Sequence, residues 1–204
     1  MPLLSSRGVR LPLFTLSALV FVLLFWLLQP RSEPPAQPIP DWPALEQDLL
    51  QPLAAGTLDL AALRERAPGA LWLQVRPDGP RLLHRAERGG AGLTWQVQAE
   101  LAATSQALST LRGELGLERG EQRLDSAQTR RFEALAVDSL WLQAEPAPSA
   151  AAWLASVGEP RLRLQMPPAQ AWVYPPRGLT AHVQDERISL IHQVPAQAMR
   201  GGGR

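Results

Sequence analysis

The chain has no cysteine in 204 residues, which excludes a disulfide framework, a thiol nucleophile and any cysteine metal site. Lysine and asparagine are absent too, so all 20 basic residues are arginine. Without lysine a serine–lysine dyad is impossible. An excess of either charge is also missing, since 20 basic residues stand against 19 acidic ones. Beyond residue 30 the balance is 18 arginines to 19 acids. Broad nucleic-acid binding needs an excess of cations to neutralise phosphates, so nucleic acid is not an expected partner.

Long apolar runs are confined to one place. Leu11 to Leu28, LPLFTLSALVFVLLFWLL, holds no charged residue. As a helix it spans about 27 Å, against about 30 Å for the hydrocarbon core of a bilayer. Pro12 falls in the first turn, where a missing N–H costs little, and Trp26 falls near the far end, where an indole can meet headgroups. Arg7 and Arg10 precede the stretch, and no positive excess follows it. The positive-inside bias then places residues 1–10 in the cytoplasm and the rest across the membrane. A cleaved secretory signal is the alternative, but 18 residues exceed the usual apolar core and Gln29, Pro30 and Arg31 make no small-x-small site.

Proline, with 20 residues, and tryptophan, with seven, are plentiful. Five prolines fall between Arg31 and Pro43, a composition that favours an extended, semi-rigid spacer over residues 29–43. The segment from 44 to 194 then reads as one α+β domain. Asp41 can cap a helix with Pro43 in its first turn and Leu45, Leu49 and Leu53 on one face. Thr57 or Asp59 can cap a second helix, to Arg66, that Pro68 and Gly69 end.

Period-two alternation follows. Leu71, Leu73 and Val75 oppose Trp72 and Gln74, and Arg81 to Ala86 can return as the partner strand across a Pro77–Gly79 turn. After a turn at Gly89 to Gly92, Leu93, Trp95, Val97 and Ala99 share one face, with Thr94, Gln96 and Gln98 on the other. The period becomes helical from Glu100 to Leu115, and Gly116 to Arg123 reads as an exposed connection. Asp125 or Ser126 can cap a helix through Leu135, and Ser149 one through Val157. Leu162, Leu164 and Met166 alternate with Arg161, Arg163 and Gln165. Ala171 to Tyr174 is extended. A final hairpin pairs Leu179–Gln184 with Arg187–His192, with Gln184 facing Arg187 and Ala181 facing Leu190. Residues 195–204 read as a disordered tail.

The tetrapeptide LWLQ occurs at Leu71–Gln74 and Leu140–Gln143, each time after an expected helix. A diverged helix–strand duplication, with sub-modules 57–123 and 124–194, would explain it, as would chance in a leucine-rich chain.

Chemistry is sparse. In the expected hairpin register His182 and His192 lie on opposite faces, and His84 sits among arginines, so no metal site is expected. Neither a GxSxG elbow nor an HExxH pair occurs. A triad from Ser126, His182 and Asp138 has nothing in its favour. Asp185-Glu186 falls in a turn, and Gly89 to Gly92 lacks the GKS of a phosphate loop. No catalytic, cofactor-binding or metal-ligating residue is expected, and the chain reads as a non-enzyme without a cofactor.

Six tryptophans beyond the apolar stretch, Trp42, Trp72, Trp95, Trp141, Trp153 and Trp172, form either a core or an interface. Trp72 and Trp141 stand opposite the leucines of their strands, and Arg81, Arg85 and Arg88 form either an anion-binding edge or a solvated face that Glu87 interrupts. These five residues make the expected partner interface. The resulting expectation is a single-pass inner-membrane protein with a periplasmic domain. It would serve as a non-catalytic subunit or assembly factor of a bacterial envelope complex, with integral membrane or periplasmic subunits as partners and lipid around its anchor. The alternatives are an anchored lipid or ligand binder, using a cavity between sheet and helices, and an inhibitor of an envelope toxin.

Overall fold

The computed structural model describes residues 36–90 and 92–201. One antiparallel sheet of nine strands organises them, in the order β4-β1-β2-β3-β5-β9-β8-β7-β6. The strands are β1 (Gly69–Arg76), β2 (Gly79–Gly90), β3 (Leu93–Leu101), β4 (Gly120–Arg123), β5 (Val137–Glu145), β6 (Leu162–Met166), β7 (Ala169–Tyr174), β8 (Leu179–Gln184) and β9 (Arg187–Gln193). Both LWLQ copies lie inside this sheet, on β1 and β5.

The helices build a layer against one face. α1 (Trp42–Leu45) runs through a π-helical turn (Glu46–Leu50) into α2 (Gln51–Ala54). Pro52 has no N–H to give to the Asp48 carbonyl, which accounts for the widened turn just before it. Leu45, Leu49 and Leu53 are nevertheless fully buried, as their spacing predicts. Asp41 precedes α1 without a side-chain cap bond, whereas the Asp59 carboxylate accepts from the Ala62 N–H and caps α3 (Leu60–Arg66). Thr104 caps α4 (Ser105–Leu115), Asp125 makes a reciprocal capping box with Gln128 on α5 (Ser126–Arg130), and Ser149 caps α6 (Ala150–Val157). A last helix, α7 (Ala196–Gly201), occupies ground expected to be a disordered tail.

Aromatic side chains fill the space between the layers. The indoles of Trp42 and Trp153 meet edge to face at 4.6 Å, and Trp95 and Tyr174 complete the cluster. The Trp153 indole N–H donates to the Tyr174 hydroxyl at 3.0 Å, and that hydroxyl donates to the Gly158 carbonyl at 2.9 Å. Burying large rings is what a cysteine-free domain needs in place of cross-links, although of the three indoles only that of Trp153 has its N–H bonded, those of Trp42 and Trp95 finding no partner. On β9 the buried Gln193 amide donates to the carbonyls of Leu50 and Arg177, both at 2.9 Å, tying the helical layer to the sheet.

Several expectations are corrected. Leu101 ends β3 rather than beginning a helix, and Gly120–Arg123 is an edge strand paired with β1 rather than a connection. Asp185 and Glu186 both adopt positive φ in the β8–β9 turn. A bulge at His182/Val183 then puts Ala181 opposite Ile191 and His182 opposite Leu190, so His182 and His192 share a face rather than being separated.

The membrane-bound reading is corrected as well. The stretch 11–28 on which it rested lies outside the described residues, and among the described residues no helix is long and apolar enough to cross a membrane. The fold is an α+β domain built on a nine-stranded antiparallel sheet. The single-pass, inner-membrane, periplasmic placement gains no support from it.

Candidate binding groove

Pairing register assigns every strand side chain to one of two faces, because residues directly opposite point the same way. Leu71, Leu73, Leu82, Trp95, Val97, Ala99, Leu140 and Leu142 face the helices and are buried. Among the described residues the other face carries no helix. Across it the register aligns Ala70, Arg85, Gln98, Trp141 and His192 on β1, β2, β3, β5 and β9. Trp72 stands two residues along β1, opposite Leu83 on one side and Arg123 of β4 on the other.

A groove of about 770 Å³ opens on this face. Its lining includes Trp72, Arg85, Gln96, Gln98, Trp141 and Gln143. The size falls within the usual range for small-molecule sites. Trp141 is half-buried and stacks on the His192 ring, with centroids 5.0 Å apart and planes 17° from parallel. The Arg85 guanidinium lies 5.5 Å from the centre of the Trp72 ring. Each indole is thus backed by a neighbour, which fixes its orientation before anything binds.

Two of the charged groups at the groove, Arg85 and Glu87, are engaged by neighbours. Arg85 donates twice to the Glu121 carboxylate, both bonds at 2.9 Å, and its Nε–H donates to Gln98 at 3.2 Å. This pairing holds the Glu121 carboxyl below the usual carboxylate range and raises the guanidinium. The Gln96 amide donates to Glu87 at 2.9 Å. Arg85 and Glu87 are thus each engaged, while Arg123 is a second guanidinium in the lining. What remains to meet a ligand is mostly amide and indole.

The expected interface residues separate. Trp72, Trp141 and Arg85 come together in the groove. Arg81 is on the same face but bonds Asp78 at 2.6 Å and Glu100 at 3.3 Å, outside the groove lining. Arg88 points to the opposite face, where it pairs with Asp48 of the helical layer. No anion-binding edge results from the three arginines. His84 is fully buried on the helix-facing side, and its Nε2–H donates to the Ala67 carbonyl at 2.9 Å, while burial lowers its pKa. Among the described residues no set of three or more histidine or acidic side chains gathers to hold a metal ion. Sequence reasoning missed Gln96, Gln98 and Gln143 as site residues. Their signal was an amide at every second position of strands flanked by half-buried indoles.

No family model, characterised protein or solved structure matches this chain. The groove itself has to carry the functional argument. The envelope-subunit reading and its alternatives are corrected, since among the described residues no helix can serve as the membrane anchor they need. The anchored binder needed a cavity between sheet and helices, where the tryptophan cluster is packed, and the toxin inhibitor needed the same envelope placement.

Proposed function

We propose that the domain binds a neutral carbohydrate, without catalysis, in the groove between Trp72 and Trp141. The observation that carries this reading is the pairing of two pre-oriented indoles with three glutamine amides. Sugar rings present C–H faces that pack on aromatic rings, and hydroxyls that both donate and accept. A glutamine amide offers two donors and an accepting oxygen, which suits a hydroxyl better than a carboxylate or a guanidinium does. The one lining carboxylate, Glu87, is taken up by Gln96, and Arg85 by Glu121, which argues against a ligand recognised chiefly by charge.

Binding without turnover is supported by the acid inventory of the groove. Glycoside hydrolysis uses two carboxyl groups flanking the scissile bond. Glu87 is the one carboxylate among the lining residues, and it is engaged by Gln96. The test is titration of the full-length chain with neutral oligosaccharides, read by tryptophan fluorescence. Saturable quenching that disappears in Trp141→Ala supports the reading, and the absence of any response across glucan, chitin-type and galactan oligomers overturns it.

A further inference from the structure

The two edges of the sheet differ. β4 is a four-residue strand, GEQR, whose Glu121 is tied to Arg85. Such a short, charged edge resists further pairing. Among the described residues β6, at the opposite end, has only β7 beside it, and all five of its residues are exposed. Leu162, Leu164 and Met166 are 52%, 49% and 43% exposed, the large hydrophobic side chains most open to water among the described residues. Register with Val173, Ala171 and Ala169 puts all three on the same open face as the groove. An unpaired strand with an apolar face is a template for another strand.

We infer that β6 pairs antiparallel with β6 of a second copy of this chain, about a twofold axis through Leu164. Charge and proline placement select both the partner and the register. With the axis at Leu164, Leu164 faces its own copy, Leu162 faces Met166, and Arg163 faces Gln165. No arginine meets an arginine. Moving the axis to Arg163 sets two guanidiniums opposite each other, and moving it to Leu162 sets Arg161 against Arg163. Moving it to Gln165 brings Pro167 into the ladder, where it has no N–H to give. Pro160, Pro167 and Pro168 confine the pairing to the segment between them. On the helix-facing side Arg163 is already held by Glu159 at 2.7 Å and lies 4.6 Å from the Trp172 ring centre, so it stays paired when the copy arrives.

The dimer joins two open faces into one, because a twofold normal to the sheet keeps the same face up in both copies. β3, at the floor of the groove, lies five strands from the β6 edge, about 24 Å along the sheet. The dimer carries two grooves on one continuous sheet, which raises avidity for a repeating ligand. The self-pairing does not depend on what the groove binds.

The cysteine-free sequence makes the test clean. The mass of the full-length chain by light scattering should be twice that of one copy at tens of micromolar, and Leu164→Arg should halve it while leaving the far-UV circular dichroism unchanged. Opposed residues in an antiparallel pair sit about 4.5–5.5 Å apart at Cα, within disulfide range. Mild oxidation should therefore cross-link Leu164→Cys to itself. Leu162→Cys should not cross-link alone, because its own copy lies roughly 13 Å along the strand, but it should cross-link when mixed with Met166→Cys. A monomeric mass, equal cross-linking at positions 162 and 164, or a dimer indifferent to Leu164→Arg would each overturn the inference.

Discussion

Arg85 lies over the Trp72 ring, 5.5 Å from its centre, while Glu121 on the edge strand holds the guanidinium through two 2.9 Å hydrogen bonds. One wall of the groove is therefore set by a contact between neighbouring strands. Because Arg85 and Glu121 are partly solvated, their pairing contributes little to stability, about 1 kcal/mol or less. Glu121→Gln should leave the unfolding midpoint nearly unchanged while freeing Arg85 and loosening Trp72. A several-fold weaker affinity for an oligosaccharide, with stability intact, is the expected outcome by titration and urea unfolding.

Trp153 should behave oppositely. It is fully buried, it packs against Trp42 and Tyr174, and its N–H is bonded. Trp153→Ala should cost about 3–5 kcal/mol, enough to threaten folding of a domain without cross-links. Trp153→Phe keeps most of the volume and loses the bond to Tyr174, so it should cost less. Denaturant midpoints separate the two.

His84 makes stability depend on pH. Burial lowers its pKa below the usual histidine range, and the neutral ring donates to the Ala67 carbonyl. The unfolded chain therefore takes up a proton more readily than the folded one. Stability is complete above the unfolded pKa and falls as pH drops below about 6.5, by up to roughly 1.4 kcal/mol per pH unit for one proton. His192 adds in the same direction, with burial first and His182 second as causes. Urea unfolding between pH 8 and pH 5 should show the decline, and His84→Leu should flatten it.

The β8–β9 turn leaves room for stabilisation. Asp185 and Glu186 sit at φ of +49° and +58°, a conformation that favours asparagine and glycine. Replacing the pair by Asn-Gly should raise stability by about 1–2 kcal/mol, since each side chain is strained there. The Glu186 carbonyl would still accept from the Ala150 N–H, a backbone contact. Thermal unfolding of the double variant measures the gain.

Strand alternation was legible wherever one face is apolar. Trp95, Val97 and Ala99 announced β3, and Leu71 and Leu73 announced β1, because period two is the only pattern that buries those side chains together. β4 was not legible: Gly-Glu-Gln-Arg has no apolar face and becomes a strand only because β1 offers an open edge. Nor was the bulge at His182/Val183, which depends on how β9 accommodates one extra residue, and it reversed the relation between two histidines. Half of the groove could be read in advance. Trp72 and Trp141 oppose their leucines, as the alternation requires. Arg88 was misgrouped with Arg81 and Arg85, although its even position on the strand already placed it on the other face.

The most direct measurement is binding of the full-length chain to an array of neutral and charged glycans, with a Trp72→Ala/Trp141→Ala variant of unchanged circular dichroism beside it. The account predicts retention on a subset of neutral oligosaccharides, weak or no retention on sulfated and uronic-acid glycans, and loss of binding in the variant. Failure to bind any neutral glycan, or binding that survives removal of both indoles, would contradict it.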